Sequence, residues 1–152
     1  MKIYKMETKN EIKLQMRISS INVLKFCQYD VNNFLPENGN LEFQSNFEIK
    51  ILEESNEIGV LSTIILNVVN LNIHYGELKV LINFNINPFK DVVKIIDGKS
   101  FNIPDMLLTT LTNIATGTVR GILHEKFKGT VIQNEVFPLL DINNLLKGNQ
   151  QK

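Results

Sequence analysis

A chain of 152 residues, 43% hydrophobic and 21% charged, is long enough to bury one core without disulfide or metal staples, and its composition excludes wholesale disorder. Sixteen basic and sixteen acidic residues give a formal net charge of zero, without the basic excess of a protein that grips nucleic-acid phosphates. The single cysteine, Cys27, excludes an internal disulfide and a cysteine-based zinc cluster.

The opening MKIYKMETKN is polar and has no apolar core of signal-peptide length. A first strand is expected from about Lys13 to Cys27. Its apolar phase jumps from Leu14, Met16 and Ile18 to Ile21 and Val23 across Ser19 and Ser20, which is the mark of a β-bulge. Cys27 continues the apolar face of this strand and reads as a core thiol. PENGN, from Pro36 to Asn40, signals a turn. LEFQSNFEIKI then alternates strictly, with Leu41, Phe43, Phe47, Ile49 and Ile51 on one face and Glu42, Gln44, Glu48 and Lys50 on the other.

A second turn signal covers Glu53 to Gly59, where the pair Glu53-Glu54 reads as solvated. The stretch from Gly59 to Ile73 is apolar on both faces in its middle. Ile64, Leu66 and Val68 lie on one side and Ile65, Val69 and Leu71 on the other. Such a strand wants cover on both sides, and one helical layer supplies cover on one, so self-association is expected. Interruptions by Asn67, Asn70 and Asn72 make the same stretch too polar and too short to span a bilayer. The chain is therefore expected to be soluble and cytoplasmic, with no membrane insertion.

HYGE, from His74 to Glu77, reads as a third turn. ELKVLINFNIN after it puts Leu78, Val80, Ile82, Phe84 and Ile86 on one face. Links this short predict antiparallel strands that neighbour one another in chain order. Asn87 to Pro104 has no clean period and reads as a long crossing loop. From Asp105 to about Lys128 the period becomes helical. Leu107, Leu111, Ile114, Thr118 and Ile122 form a stripe, Leu108, Ala115 and Val119 flank it, and Gly129 is placed to stop the helix. FPLLDINNLLK closes the pattern with a short amphipathic helix capped by Asp141. The order defines one α+β domain over residues 1–152: four antiparallel strands, a crossing loop, a long helix and a short C-terminal helix.

Catalytic chemistry is thin. No phosphate-binding glycine loop, Cys-x-x-Cys pair or nucleophile elbow is present. His124-Glu125 starts like a zinc-protease helix, but Lys128 stands where the second histidine is needed. His74 sits at a turn signal. No enzyme activity, metal or cofactor is expected.

The long helix poses its own question, because Gly117 and Gly121 each cost roughly 1 kcal/mol against alanine in a helix interior. Small residues one turn apart let a helix approach a neighbour closer than the usual 8–10 Å, roughly. That neighbour is either the protein's own sheet or another helix. Arg120 lies off that face, with a stem long enough to cover apolar surface while its head reaches a carboxylate or carbonyl.

The run from Ile103 to Leu146, with Thr118-Val119-Arg120-Gly121 in its long helix and FPLLDINNLL after it, resembles the C-terminal half of the SecB-type chaperones. MRISSINVLKF is similar to that family's first strand, and the order of elements agrees over nearly the whole chain. The resemblance implies a dimer of dimers, with Gly117, Thr118, Arg120 and Gly121 at an oligomer interface. It implies ATP-independent holdase activity toward unfolded or export-competent polypeptides held in long apolar grooves. Positions matching such a groove are Phe47, Ile49 and Ile51 on the second strand, with Ile142, Leu145 and Leu146 on the last helix. Phe89 and Phe101 in the crossing loop are added on their own chemistry. The competing reading for each is ordinary core burial.

The implied partners are unfolded preproteins, with the translocation motor SecA, or else an antitoxin of a toxin–antitoxin system. SecB proteins of the export pathway are typically acidic, whereas this chain is neutral and ends KGNQQK, which weighs against motor docking. An oligomeric scaffold or small-ligand module is the reading from a different class.

Overall fold

The computed structural model describes residues 13–29, 41–69 and 73–149. Four long strands, β1 (Gln15–Gln28), β2 (Leu41–Leu52), β3 (Glu57–Val68) and β4 (Ile73–Asn87), form one antiparallel sheet. A short helix α1 (Phe89–Val92) and a two-residue ladder of β5 (Lys94–Ile95) with β6 (Phe101–Asn102) follow. The chain then enters the long helix α2 (Asp105–Phe127) and the short helix α3 (Ile142–Asn149).

The sheet order is β1-β4-β3-β2. This corrects the expectation that neighbours follow chain order. β1 pairs not with β2 but with β4, from Gln15 opposite Asn87 to Gln28 opposite Gly76. PENGN lies outside the described residues, as does Leu71. Alternating apolar residues specify which face of a strand is buried and say nothing about which edge it joins, so the swap leaves no mark on the pattern.

Alternation itself holds. Ile58, Val60, Ile64, Leu66 and Val68 of β3, with Leu78, Val80, Ile82, Phe84 and Ile86 of β4, are buried on one face. α2 lies across these two central strands. Its buried row is Leu107, Leu111, Ala115, Val119, Leu123 and Phe127, every fourth residue. The sequence stripe is rotated by part of a turn from this row, because Ile114, Thr118 and Ile122 flank the contact half-buried. An i, i+4 row drifts slowly around the helix, and a 23-residue helix on a twisted sheet follows that drift.

Gly129, at φ 73°, ends the helix in the left-handed region as expected. The Asn144 amide N–H donates to Asp141 Oδ1 at 3.2 Å, which caps α3. The helical layer covers one side of the sheet. On the other, Ile65 is half-buried and Val69 exposed.

Three further expectations change. The crossing loop is not featureless, since it holds α1 and the β5–β6 ladder. HYGE is not a turn but lies inside β4. Gly76 is there for close approach, because a Cβ on it would sit 2.6 Å from the backbone oxygen of Cys27. Gly76→Ala therefore has to spread β1 from β4. A loss of about 1–3 kcal/mol is expected, read as a lower urea midpoint with unchanged slope; an unchanged midpoint would refute the close contact.

Cys27 is the third correction. β1 has the expected bulge between Ile18 and Ser20, and a second irregularity between Val23 and Lys25. That second shift turns Cys27 to the face away from the helices, opposite Glu77, where it is half-buried rather than core. On the same face Lys25 Nζ donates to Glu77 Oε2 at 2.7 Å, and this hydrogen bond holds the Glu77 carboxyl below its ordinary range.

Candidate functional site

β2 is an edge strand, and no strand among the described residues pairs with its outer side. Its helix-side residues Phe43, Phe47, Ile49 and Ile51 alternate with exposed polar residues and are only half-buried, because α2 is centred on β3 and β4. The two ends of this row meet different things. Phe43 packs edge-on against Phe137 at 5.6 Å between ring centroids, with Phe127 at 6.5 Å. At the other end Ile49 and Ile51 line an open cavity of about 330 Å³ with Phe101, Asn102, Ile103, Asp105 and Leu108. The β5–β6 ladder and the first turns of α2 form its far wall. An unpaired strand edge beside an apolar cavity offers an extended chain both main-chain hydrogen bonds and a side-chain socket.

Ile49, Ile51 and Phe101 thus converge on one cavity, with Phe47 two residues along the same face of β2. Ile142, Leu145 and Leu146 do not line it. They lie on α3, which packs against α2. Leu145 and Leu146 are half-buried there, whereas Ile142 is 4% exposed. Phe89 is also core, at 7% exposed, since α1 turns it inward immediately after Pro88. In the single chain Phe89 and Ile142 are mostly core, and neither lines the cavity beside β2.

Ile103, Asp105 and Leu108 are cavity residues that sequence reading did not select. Leu108 stood beside the helical stripe, but a short ladder that brings β6 next to the start of α2 has no periodic signal.

The proposed interface residues separate as well. Gly117 and Gly121 are exposed, and a Cβ built on either meets nothing within 4 Å. The protein's own sheet is therefore not the close neighbour these glycines admit. Thr118 Oγ1 donates back to the Ile114 carbonyl at 2.9 Å. Arg120 donates from Nε to the Phe137 carbonyl at 2.9 Å and from Nη2 to the Pro138 carbonyl at 3.0 Å. It pins the segment before α3 onto α2.

A second apolar surface lies at the opposite edge. Met16, Ile18, Ile21 and Val23 of β1 share the helix side of the sheet, since they stand opposite Ile86, Phe84, Ile82 and Val80. All four are 40–48% exposed, because α2 is centred on β3 and β4. Among the described residues no helix is long and apolar enough to cross a membrane.

No protein-family model matches this chain, and no curated protein sequence does. Solved structures do match it, and they define its architecture as a SecB-like fold. One of them is the Mycobacterium tuberculosis SecB-like chaperone in complex with a ChAD peptide from the HigA1 antitoxin. The match covers 83% of this chain and 90% of that one, with a TM-score of 0.55 and 10% sequence identity.

Proposed function

We propose that this protein is an ATP-independent, non-enzymatic holdase chaperone of the cytoplasm that keeps extended polypeptides from aggregating. The observation that carries this reading is the pairing of the β2 edge, which no strand among the described residues covers, with the apolar cavity at Ile49, Ile51 and Phe101. Non-native chains expose apolar side chains and unpaired backbone, and this surface is complementary to both. Several weak contacts along one chain add through effective concentration, which suits a binder of many sequences.

An antitoxin is the favoured client class over export preproteins. The similar mycobacterial chaperone carries an antitoxin peptide, and the zero net charge gives a translocation motor no acidic surface excess to dock on. Assembly belongs to the same proposal. The uncovered β1 row and the open Gly117/Gly121 face are two surfaces that further copies would cover in a dimer of dimers.

The test is suppression of light scattering by an unrelated, chemically unfolded protein without nucleotide. Wild type is expected to suppress it at near-stoichiometric ratios. A double variant, Ile49→Ser with Phe101→Ser, is expected to lose most of the protection while its melting temperature falls by only a few degrees. No protection by wild type would leave the scaffold reading standing.

A further inference from the structure

At the end of the sheet where β4 runs into α1, two cavities of about 420 and 380 Å³ adjoin and share Asn85 and Asn87. Asn56 lines the first and Gln15 the second, so four carboxamides border one trough. Gln15 stands opposite Asn87 in the β1–β4 register, and Arg17 opposite Asn85. Asn85 Nδ2 donates to the Ser55 carbonyl at 3.3 Å, which fixes this side chain toward the β2–β3 turn and leaves it one N–H and its Oδ1. Gln15, Asn56 and Asn87 are exposed, and among the described residues their carboxamides enter no hydrogen bond. The charges at the trough are mixed, with Arg17 on one side and Lys90 beside Asp91 on the other.

We propose that this trough binds the main chain of an extended polypeptide through its peptide groups, whatever side chains the polypeptide carries. A carboxamide offers a donor and an acceptor side by side, the complement of a peptide C=O and N–H. An extended chain turns its peptide groups to one side every second residue, roughly 7 Å apart, which is the interval between Asn85 and Asn87 along β4. Both side chains can therefore pair with one segment in register. An anion uses only the N–H groups and meets Asp91 as well as Lys90. An apolar surface strips water from the carboxamides and returns no hydrogen bond. The trough lies at the same end of the sheet as the cavity beside β2, since Ile51 stands opposite Ile58, and Ile58 opposite Phe84, the neighbour of Asn85. A chain held in that cavity continues past the β2–β3 turn into the trough.

The inference rests on the peptide-holding reading above, and its test separates the two. An alternating glycine-serine peptide, which has no large side chain, is titrated into the full-length protein while the side-chain amide signals of Asn85 and Asn87 are followed by NMR. Its counterpart has sarcosine for every glycine and so lacks the N–H at alternate positions. The glycine-serine peptide is expected to shift both signals, and the sarcosine peptide to bind about tenfold more weakly, the scale of a hydrogen bond or two. This comparison needs no variant. Gln15→Ala with Asn87→Ala is expected to weaken the glycine-serine peptide by a similar factor, while a peptide rich in Ile and Phe still shifts Ile49 and Phe101, which shows that the variant is folded. Equal binding of the first two peptides to wild type overturns the assignment while peptide holding beside β2 stands. So does a response to inorganic phosphate at lower concentration than to the peptide, or failure of the glycine-serine peptide where the apolar peptide binds. Failure of all three peptides overturns the trough and the peptide-holding reading together.

Discussion

Gly121→Leu is expected to leave the fold standing and to break the assembly. In the single chain a side chain at this position enters open space, so the substitution meets no intramolecular clash. It should even raise the helix propensity of α2, by up to about 1 kcal/mol. If a second copy packs closely on this face, the same leucine overpacks the contact, typically at about 1–3 kcal/mol for each protomer. The two effects have opposite signs in two measurements. Light scattering at micromolar concentration should fall from an oligomer toward the 17.4 kDa protomer, while the isolated protomer remains helical by circular dichroism. A variant that assembles like wild type removes this helix face from the interface. A wild type that is itself monomeric at that concentration removes the assembly.

The second large effect separates groove from core. Ile82 is fully buried at the centre of β4, so Ile82→Ser leaves a cavity and brings in a hydroxyl without a designed partner. A loss at or above the 2–5 kcal/mol typical of large-to-small core changes is expected, about half the stability of an ordinary domain. Leu145 is half-buried on α3, and Leu145→Ser should cost well under about 2 kcal/mol because part of its surface is already wet. Ile142, at 4% exposed, is expected to behave like Ile82 rather than like its helix neighbour. Urea melts paired with client-binding titrations measure both properties. If Leu145→Ser unfolds the protein as severely as Ile82→Ser, α3 is core along its whole length and has no part in holding clients.

What the sequence made legible was whatever leaves a periodic trace. The alternation of β2 and β4, the bulge after Ile18, the extent of α2, the stop at Gly129 and the Asp141 cap were all readable, because each depends on contacts within a few residues. Pairing was not readable. β1 joins β4 through a register that depends on the whole sheet, and HYGE looked like a turn because Gly76 serves a close contact that only the partner strand reveals. The candidate site divided along the same line. Ile49 and Ile51 follow from the period of β2. Ile103 and Asp105 follow the β5–β6 ladder, which brings the start of α2 to the cavity and is too short to have a period.

The strand order also sets a timetable. Each β1 residue waits for a partner tens of positions later in the chain, whereas β2, β3 and β4 are closed by local links. At synthesis rates of roughly 5–20 residues per second, β1 and its row of Met16, Ile18, Ile21 and Val23 spend seconds without a mate while β4 is still being made. Non-local pairing of this kind slows folding, because the loop must close before the contacts repay it. The bulge after Ile18 brings the four onto one face only once β1 has paired, so a regular, unbulged nascent strand would put Met16 and Ile18 on one face and Ile21 and Val23 on the other, with no long apolar row for a neighbouring chain to match.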